Sequence, residues 1–125
     1  GSVDPGFGTA YLARLVGEKK AREIWYMCRR YSAQEALEMG LVNSVVPFDK
    51  LDEEVDAWCQ EIMAKSPTAL AIAKRSFNAD TEHIRGLGVL GFQALKGYYE
   101  TEESKEGVNA FREKRKPDFR KYQPR

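Results

Sequence analysis

Histidine occurs once in this sequence, at His83, and cysteine twice, at Cys28 and Cys59. A single histidine excludes a two-histidine metal motif and makes any nucleophilic triad depend on that one residue. The cysteines lie far apart, outside any C-x-x-C spacing, so no metal ribbon or redox pair is expected. Both fall on apolar faces of predicted helices and are expected to be buried free thiols in a reducing, cytoplasmic setting. No apolar run approaches the roughly 20 residues of a membrane span. The net charge is +1, which supplies no global field for nucleic acid or membrane. No internal repeat or low-complexity linker is present.

What remains is 42% apolar and 31% charged over 125 residues, enough for one domain with a core. The chain opens irregularly on GSVDPGFGT, which crowds Asp4 among small residues. "GTAYLARLVG" then reads as a short helix, with Thr9 able to cap its start and Gly17 to end it. Ala21, Ile24, Trp25 and Cys28 follow the spacing of a buried helical face. "SAQEALEMG" has Ser32 as N-cap, Glu35 at the capping-box position and Gly40 as its stop. "LVNSVVP" is the one convincing strand. Asp49 is expected to cap a long helix carrying Leu51, Val55, Trp58, Cys59, Ile62 and Met63 on one face. Ser66-Pro67 starts the next helix.

"TEHIRGLGVLGFQALKGYYETEE" is read as helical despite Gly86, Gly88, Gly91 and Gly97. At about 1 kcal/mol each relative to alanine, these weaken the helix by several kcal/mol. Such a helix requires tertiary support or the close approach of another backbone. "EESKEGVNAFREKRK" is a last helix, followed by an extended tail. A lone strand must pair with something, because unpaired buried backbone groups are costly. Its partner is expected outside this sequence.

Taken as bare residues, Asp4 is a turn or cap aspartate and Tyr99 a helix-face aromatic. Residues 112 to 125 hold seven basic and two acidic side chains, a local +5. That suits a phosphorylated ligand, and equally a solvated helix end that favours the helix dipole. A nucleic-acid arm is disfavoured by the nearly balanced whole-chain charge.

Three stretches together carry a resemblance: "GTAYLARLVGEKKAREIWYMCRR", "AQEALEMGLVNSVVP" and "SPTALAIAKRSFN". They resemble the crotonase (enoyl-CoA hydratase/isomerase) superfamily. Within it, "GSVDPGFGTAYLAR", "YYETEESKEG" and "FREKRKPDF" resemble the family of 1,4-dihydroxy-2-naphthoyl-CoA synthases. The resemblance covers essentially the whole chain. It implies an α/β crotonase fold, a spiral of ββα units, of which these residues are the mostly helical C-terminal part with one short strand. Residues 1–48 would end the spiral core and carry the active-site loop; residues 49–125 would be the trimerisation helices and basic tail.

The activity implied is a lyase-type intramolecular Claisen closure of o-succinylbenzoyl-CoA, in a homotrimer or hexamer. Asp4 matches the family's active-site aspartate, in a loop the family writes S-F-D-G-G-Y-G and this chain writes Ser2-Val3-Asp4-Pro5-Gly6-Phe7-Gly8. Tyr99 matches a tyrosine needed for turnover. Ser2 and Thr9 match substrate contacts, with simple loop capping as their rival role. Phe111 is placed against the CoA adenine and Lys114 at its phosphate. No metal and no cofactor is expected of this stretch itself. Some members use bicarbonate as the base and others a protein carboxylate, and the deciding residues lie upstream. The oxyanion hole is also expected upstream, so this stretch alone is expected to be inactive. Two alternatives stay open. One is another crotonase, a hydratase or isomerase, although hydratases place a glutamate in this loop and none precedes Glu18. The other is a non-catalytic oligomerisation module.

Overall fold

The computed structural model describes residues 3–123. Seven α-helices succeed one another among them: α1 (Leu12–Val16), α2 (Glu18–Met27), α3 (Ala33–Glu38), α4 (Leu51–Met63), α5 (Pro67–Asp80), α6 (Glu82–Tyr99) and α7 (Glu102–Arg112). A π-helical turn (Phe7–Tyr11) precedes α1, and 3-10 turns occupy Phe48–Lys50 and Arg120–Tyr122. The chain divides into two compact units. One joins the residues up to Tyr11 with those from Ile84 onward; the other is Leu12–His83.

In the second unit, local chemistry sets the helix ends. Gly17, at φ 80°, separates α1 from α2 in a backbone region that disfavours side chains. Ser32 and Glu35 form the full capping box at α3: the Ser32 hydroxyl accepts from the Glu35 N–H at 3.2 Å, and the Glu35 carboxylate accepts from the Ser32 N–H at 2.7 Å. The Ser32 N–H, and after it the Ser32 hydroxyl, which donates to the same carboxylate at 2.8 Å, hold the Glu35 carboxyl below its ordinary value. Gly40 closes α3 at φ 75°, and its neighbour Leu41 donates back to the Ala36 carbonyl at 2.8 Å. Ser66 caps α5, with Pro67 at the first helical position. Arg14 of α1 and Asp80 at the end of α5 form an ion pair at 2.5 Å.

Four expectations are corrected. The "LVNSVVP" segment is not a strand: among the described residues there is no ladder, and a strand without a partner has nothing to bond. The segment instead lies irregularly beside α4, joined to it by Ser44, which donates to Glu54 at 3.3 Å. Its valines line an apolar groove of about 540 Å³ together with Leu51, Val55, Trp58 and Ile62 of α4. Asp49 does not cap α4, because the preceding 3-10 turn takes it in and moves the N-cap to Lys50. Cys28 and Cys59 are exposed rather than buried. Cys28 is the left-handed C-cap of α2, outside its buried face, and Cys59 belongs to an α4 with no buried residue. Finally, the buried face expected at Ala21, Ile24, Trp25 and Cys28 holds only in part: Ala21 is buried, and Ile24 and Trp25 are half-buried.

The first unit contains most of the buried residues. Ile84, Leu95 and Ala110 are its apolar interior, with Gly88 and Gly91 buried beside them on α6. The four-glycine helix forms without a break over 18 residues. The opening loop approaches two of its glycines, of which Gly91 has no room for a Cβ and Gly88 lies against Gly6 of the loop. A Cβ on Gly91 would collide with the ring of Pro5, and a Cβ on Gly6 would sit 2.8 Å from the Gly88 Cα. Gly6 also has φ 100°. The opening loop is therefore seated directly on the α6 backbone, which no side-chain-bearing residue at position 91 would permit in this geometry.

Candidate active site and basic tail

Asp4 is exposed at the edge of this seat, one residue before Pro5. The loop is further closed by Thr9, whose hydroxyl accepts from the Gly6 N–H at 3.0 Å. That bond engages Thr9 in loop capping. Tyr11 donates its N–H to the Gly6 carbonyl at 3.0 Å, and the Phe7 and Tyr11 rings lie 5.9 Å apart. The carboxylate is thus carried on a short, braced segment rather than on a free terminus. Ser2 lies outside the described residues.

Tyr99 is the last residue of α6, the same helix that seats the loop. Gly91 and Tyr99 are eight positions apart, roughly 12 Å along a helix axis. Tyr99 is 51% exposed, whereas Tyr98 is half-buried. Burial, followed by the nearby Glu103 charge, raises the Tyr98 phenol above its ordinary value. Tyr98 is thus the more deeply packed of the two rings, and Tyr99 the more exposed. Thr101 then stops the chain between helices. Its hydroxyl donates to the Tyr98 carbonyl at 2.6 Å and accepts from the Ser104 N–H at 3.3 Å, capping α7.

The tail is organised by a residue that its sequence context does not single out. Glu106 of α7 is 3% exposed. Its carboxylate accepts from the Arg115 guanidinium at 2.5 and 3.2 Å, from the Asp118 N–H at 2.8 Å and from Lys121 at 3.0 Å. The Arg115 hydrogen bond, then those from Asp118 and Lys121, hold this carboxyl well below the usual range. Glu106 and the buried Ala110 are four residues apart, one helical turn. A glutamate on the buried face of a helix that precedes a basic segment was the available signal.

Lys114 comes after α7 in the left-handed region, at φ 55°. The geometry is the helix-ending motif that glycine usually supplies. Lys114 donates its N–H to the Phe111 carbonyl at 3.2 Å, and Arg115 donates to the Ala110 carbonyl at 3.0 Å. A side chain there costs on the order of 1–2 kcal/mol. Phe111 is 85% exposed. Asp4, Thr9, Tyr99, Phe111 and Lys114 all belong to the same compact unit. Among the described residues no group of histidine, cysteine and carboxylate side chains could hold a metal ion.

The comparisons with known proteins agree in class. The enoyl-CoA hydratase/isomerase family model matches residues 1–123, and the chain belongs to that family. Solved structures show the same relationship. An enoyl-CoA hydratase from Bacillus anthracis is 35% identical with a TM-score of 0.55, over 90% of this chain and 44% of that one. An enoyl-CoA hydratase subunit I from Geobacillus kaustophilus HTA426 is 33% identical with a TM-score of 0.56, again over 90% and 44%. DspI of Pseudomonas aeruginosa is 28% identical with a TM-score of 0.57, over 90% and 43%. The chain therefore spans less than half the length of the structures it matches. Its helices are the counterpart of a helical portion of the crotonase fold. No helix among the described residues is long and apolar enough to cross a membrane.

Proposed function

We propose that the whole protein is a 1,4-dihydroxy-2-naphthoyl-CoA synthase, which closes the second ring of o-succinylbenzoyl-CoA. One observation carries this reading: the braced loop that carries the carboxylate of Asp4 is seated, through Pro5 and Gly6, on the helix that ends at Tyr99. A hydratase or isomerase is the second reading, favoured by the names of the two enoyl-CoA hydratase structures. Against it stands the loop itself, residues 2–8, which carries the carboxylate of Asp4 and no glutamate.

The reaction needs a base to remove a proton alpha to the thioester. It also needs donors to hold the resulting enolate, and a proton source for the aryl carboxyl that the enolate attacks. Attack forms the new carbon–carbon bond, and the carboxyl hydroxyl leaves as water once protonated. Asp4 takes the role of proton donor or hydrogen-bond partner at that carboxyl. Tyr99 takes the role of phenolic donor to the enolate or carboxyl oxygen. Ser2 and Thr9 flank Asp4 as substrate contacts, Thr9 sharing its hydroxyl with the loop. Phe111 stacks on the adenine, and Lys114 meets the CoA phosphates. The active form is a homotrimer or hexamer. The exposed apolar side chains of α4 and α5, Val55, Ile62, Ile72 and Phe77 among them, support a further covering surface.

The test is Asp4→Asn in the full-length protein. Loss of a general acid–base group lowers kcat about 10²–10⁴-fold. The variant should still fold, because Asn keeps the volume and Asp4 is exposed. Cyclisation at near wild-type kcat would remove Asp4 from the mechanism.

A further inference from the structure

We propose that Glu106 is the positioning residue of the tail's ligand contact: its buried carboxylate fixes the turn that presents Lys114, beside Phe111 at the end of α7, to a nucleotide. The inference rests on the CoA-thioester reading and adds a residue to which that reading gives no role.

The geometry is a knot around one buried acid, with the exposed Glu113 carboxylate also accepting from the Arg115 Nε–H at 2.5 Å. Glu106 binds Arg115, the Asp118 N–H and Lys121, groups 9, 12 and 15 residues further along the chain. The knot is secured at its far end. Lys121 lies 4.9 Å over the Tyr122 ring, and the Tyr122 hydroxyl donates to the Glu102 carbonyl at 3.3 Å. Asp118 also accepts from the Arg120 N–H at 3.2 Å. The tail from Arg115 to Tyr122 is thereby laced back onto α7, rather than trailing as a solvated end.

Lys114 sits where this lacing begins. Its backbone is in the left-handed region, which a lysine adopts only where its surroundings hold it. The restraint comes from the next residue. Arg115 is bonded through its N–H to Ala110 and through its guanidinium to Glu106. Glu106 also sorts the tail's charge. Arg115 and Lys121 are turned onto a buried carboxylate and are committed there. Lys114 is exposed next to them, three residues after the exposed ring of Phe111. A cation and an aromatic face held at fixed spacing suit a phosphorylated adenine nucleotide better than a mobile polybasic tail does.

The experiment measures dissociation constants for coenzyme A and for pantetheine, which lacks the nucleotide. It uses the full-length protein and its Glu106→Gln, Lys114→Ala and doubly substituted variants. Glu106→Gln should weaken coenzyme A about tenfold, the scale of one misplaced charge-assisted contact, and leave pantetheine unchanged. The double variant should bind coenzyme A no more weakly than Lys114→Ala alone, because both changes remove the same contact. Equal losses for coenzyme A and pantetheine, or multiplying losses in the double variant, would overturn the proposal by making Glu106 a structural residue only. If Lys114→Ala binds coenzyme A normally, the CoA reading of the tail itself fails. If Lys114→Ala is weakened and Glu106→Gln is not, the role of Glu106 alone fails. Should Glu106→Gln not fold, Lys121→Gln loosens the same knot without touching the buried acid and carries the same comparison.

Discussion

Alanine placed at Gly91 and at Gly97 should have different effects on stability, although both lie in one helix. At Gly97 an added Cβ meets nothing within 4 Å. The substitution there only removes the flexibility of glycine, which is worth about 0.5–1 kcal/mol to the helix. At Gly91 the same atom would overlap Cβ and Cγ of Pro5, with the Pro5 carbonyl oxygen 3.3 Å away. A proline ring cannot rotate out of the way, so the loop backbone must shift. Overpacking of this kind costs about 1–3 kcal/mol. Against the helix gain, Gly91→Ala should be roughly neutral to about 2.5 kcal/mol less stable. The two variants should thus differ by about 1–3 kcal/mol in urea denaturation of the full-length protein at fixed concentration. Because the shifted loop carries Asp4, Gly91→Ala should also lower kcat, by up to about a hundredfold for a displacement near 1 Å. Gly97→Ala should leave that loop in place. If both variants stabilise the protein equally and turn over alike, the loop does not rest on α6 as described.

Tyr99→Phe removes one oxygen and keeps the ring, so it should lower kcat more than it weakens CoA-ester binding; a change in thermal stability alone would make Tyr99 a packing residue. The Glu106 carboxyl is held low by Arg115, the Asp118 N–H and Lys121. Its folded-state pKa lies below its unfolded one, so its contribution is full above the ordinary glutamate value, near 4.3, and is lost only as pH falls through the depressed value. A carboxylate NMR titration should place its midpoint below the ordinary value; a midpoint at or above it would mean that the knot is open in solution.

The helix starts were legible where a single side chain decides them. Ser32 with Glu35, and Ser66 with Pro67, announce their caps within four residues, and both form as expected. The glycine-rich α6 is legible as a helix needing close backbone approach, and that approach falls at Gly91, under Pro5, and at Gly88, against Gly6. That Pro5 and Gly6 are the approaching residues was not legible, because roughly 80 residues of separation carry no periodic signal. The valine-rich segment has the composition of a strand, yet strand formation is a property of a pair. Asp49 reads as a cap because it precedes an apolar-periodic run, but the 3-10 turn displaces the helix start by one position. Glu106 escaped notice for a related reason. Its partners lie 9 to 15 residues away, beyond the helical spacings at which ion pairs are read from sequence. Of the candidate site, Asp4, Tyr99 and Lys114 were nameable only through family resemblance, since as bare residues each has an ordinary structural role.

The most direct test offers the full-length protein two substrates side by side, o-succinylbenzoyl-CoA and a short-chain enoyl-CoA, and monitors ring closure and hydration separately. The proposed function predicts formation of the 1,4-dihydroxy-2-naphthoyl thioester with loss of water, abolished by Asp4→Asn, and no comparable hydration of the enoyl-CoA. Efficient hydration of the enoyl-CoA with no ring closure would contradict it, and would make the protein a hydratase of the same family.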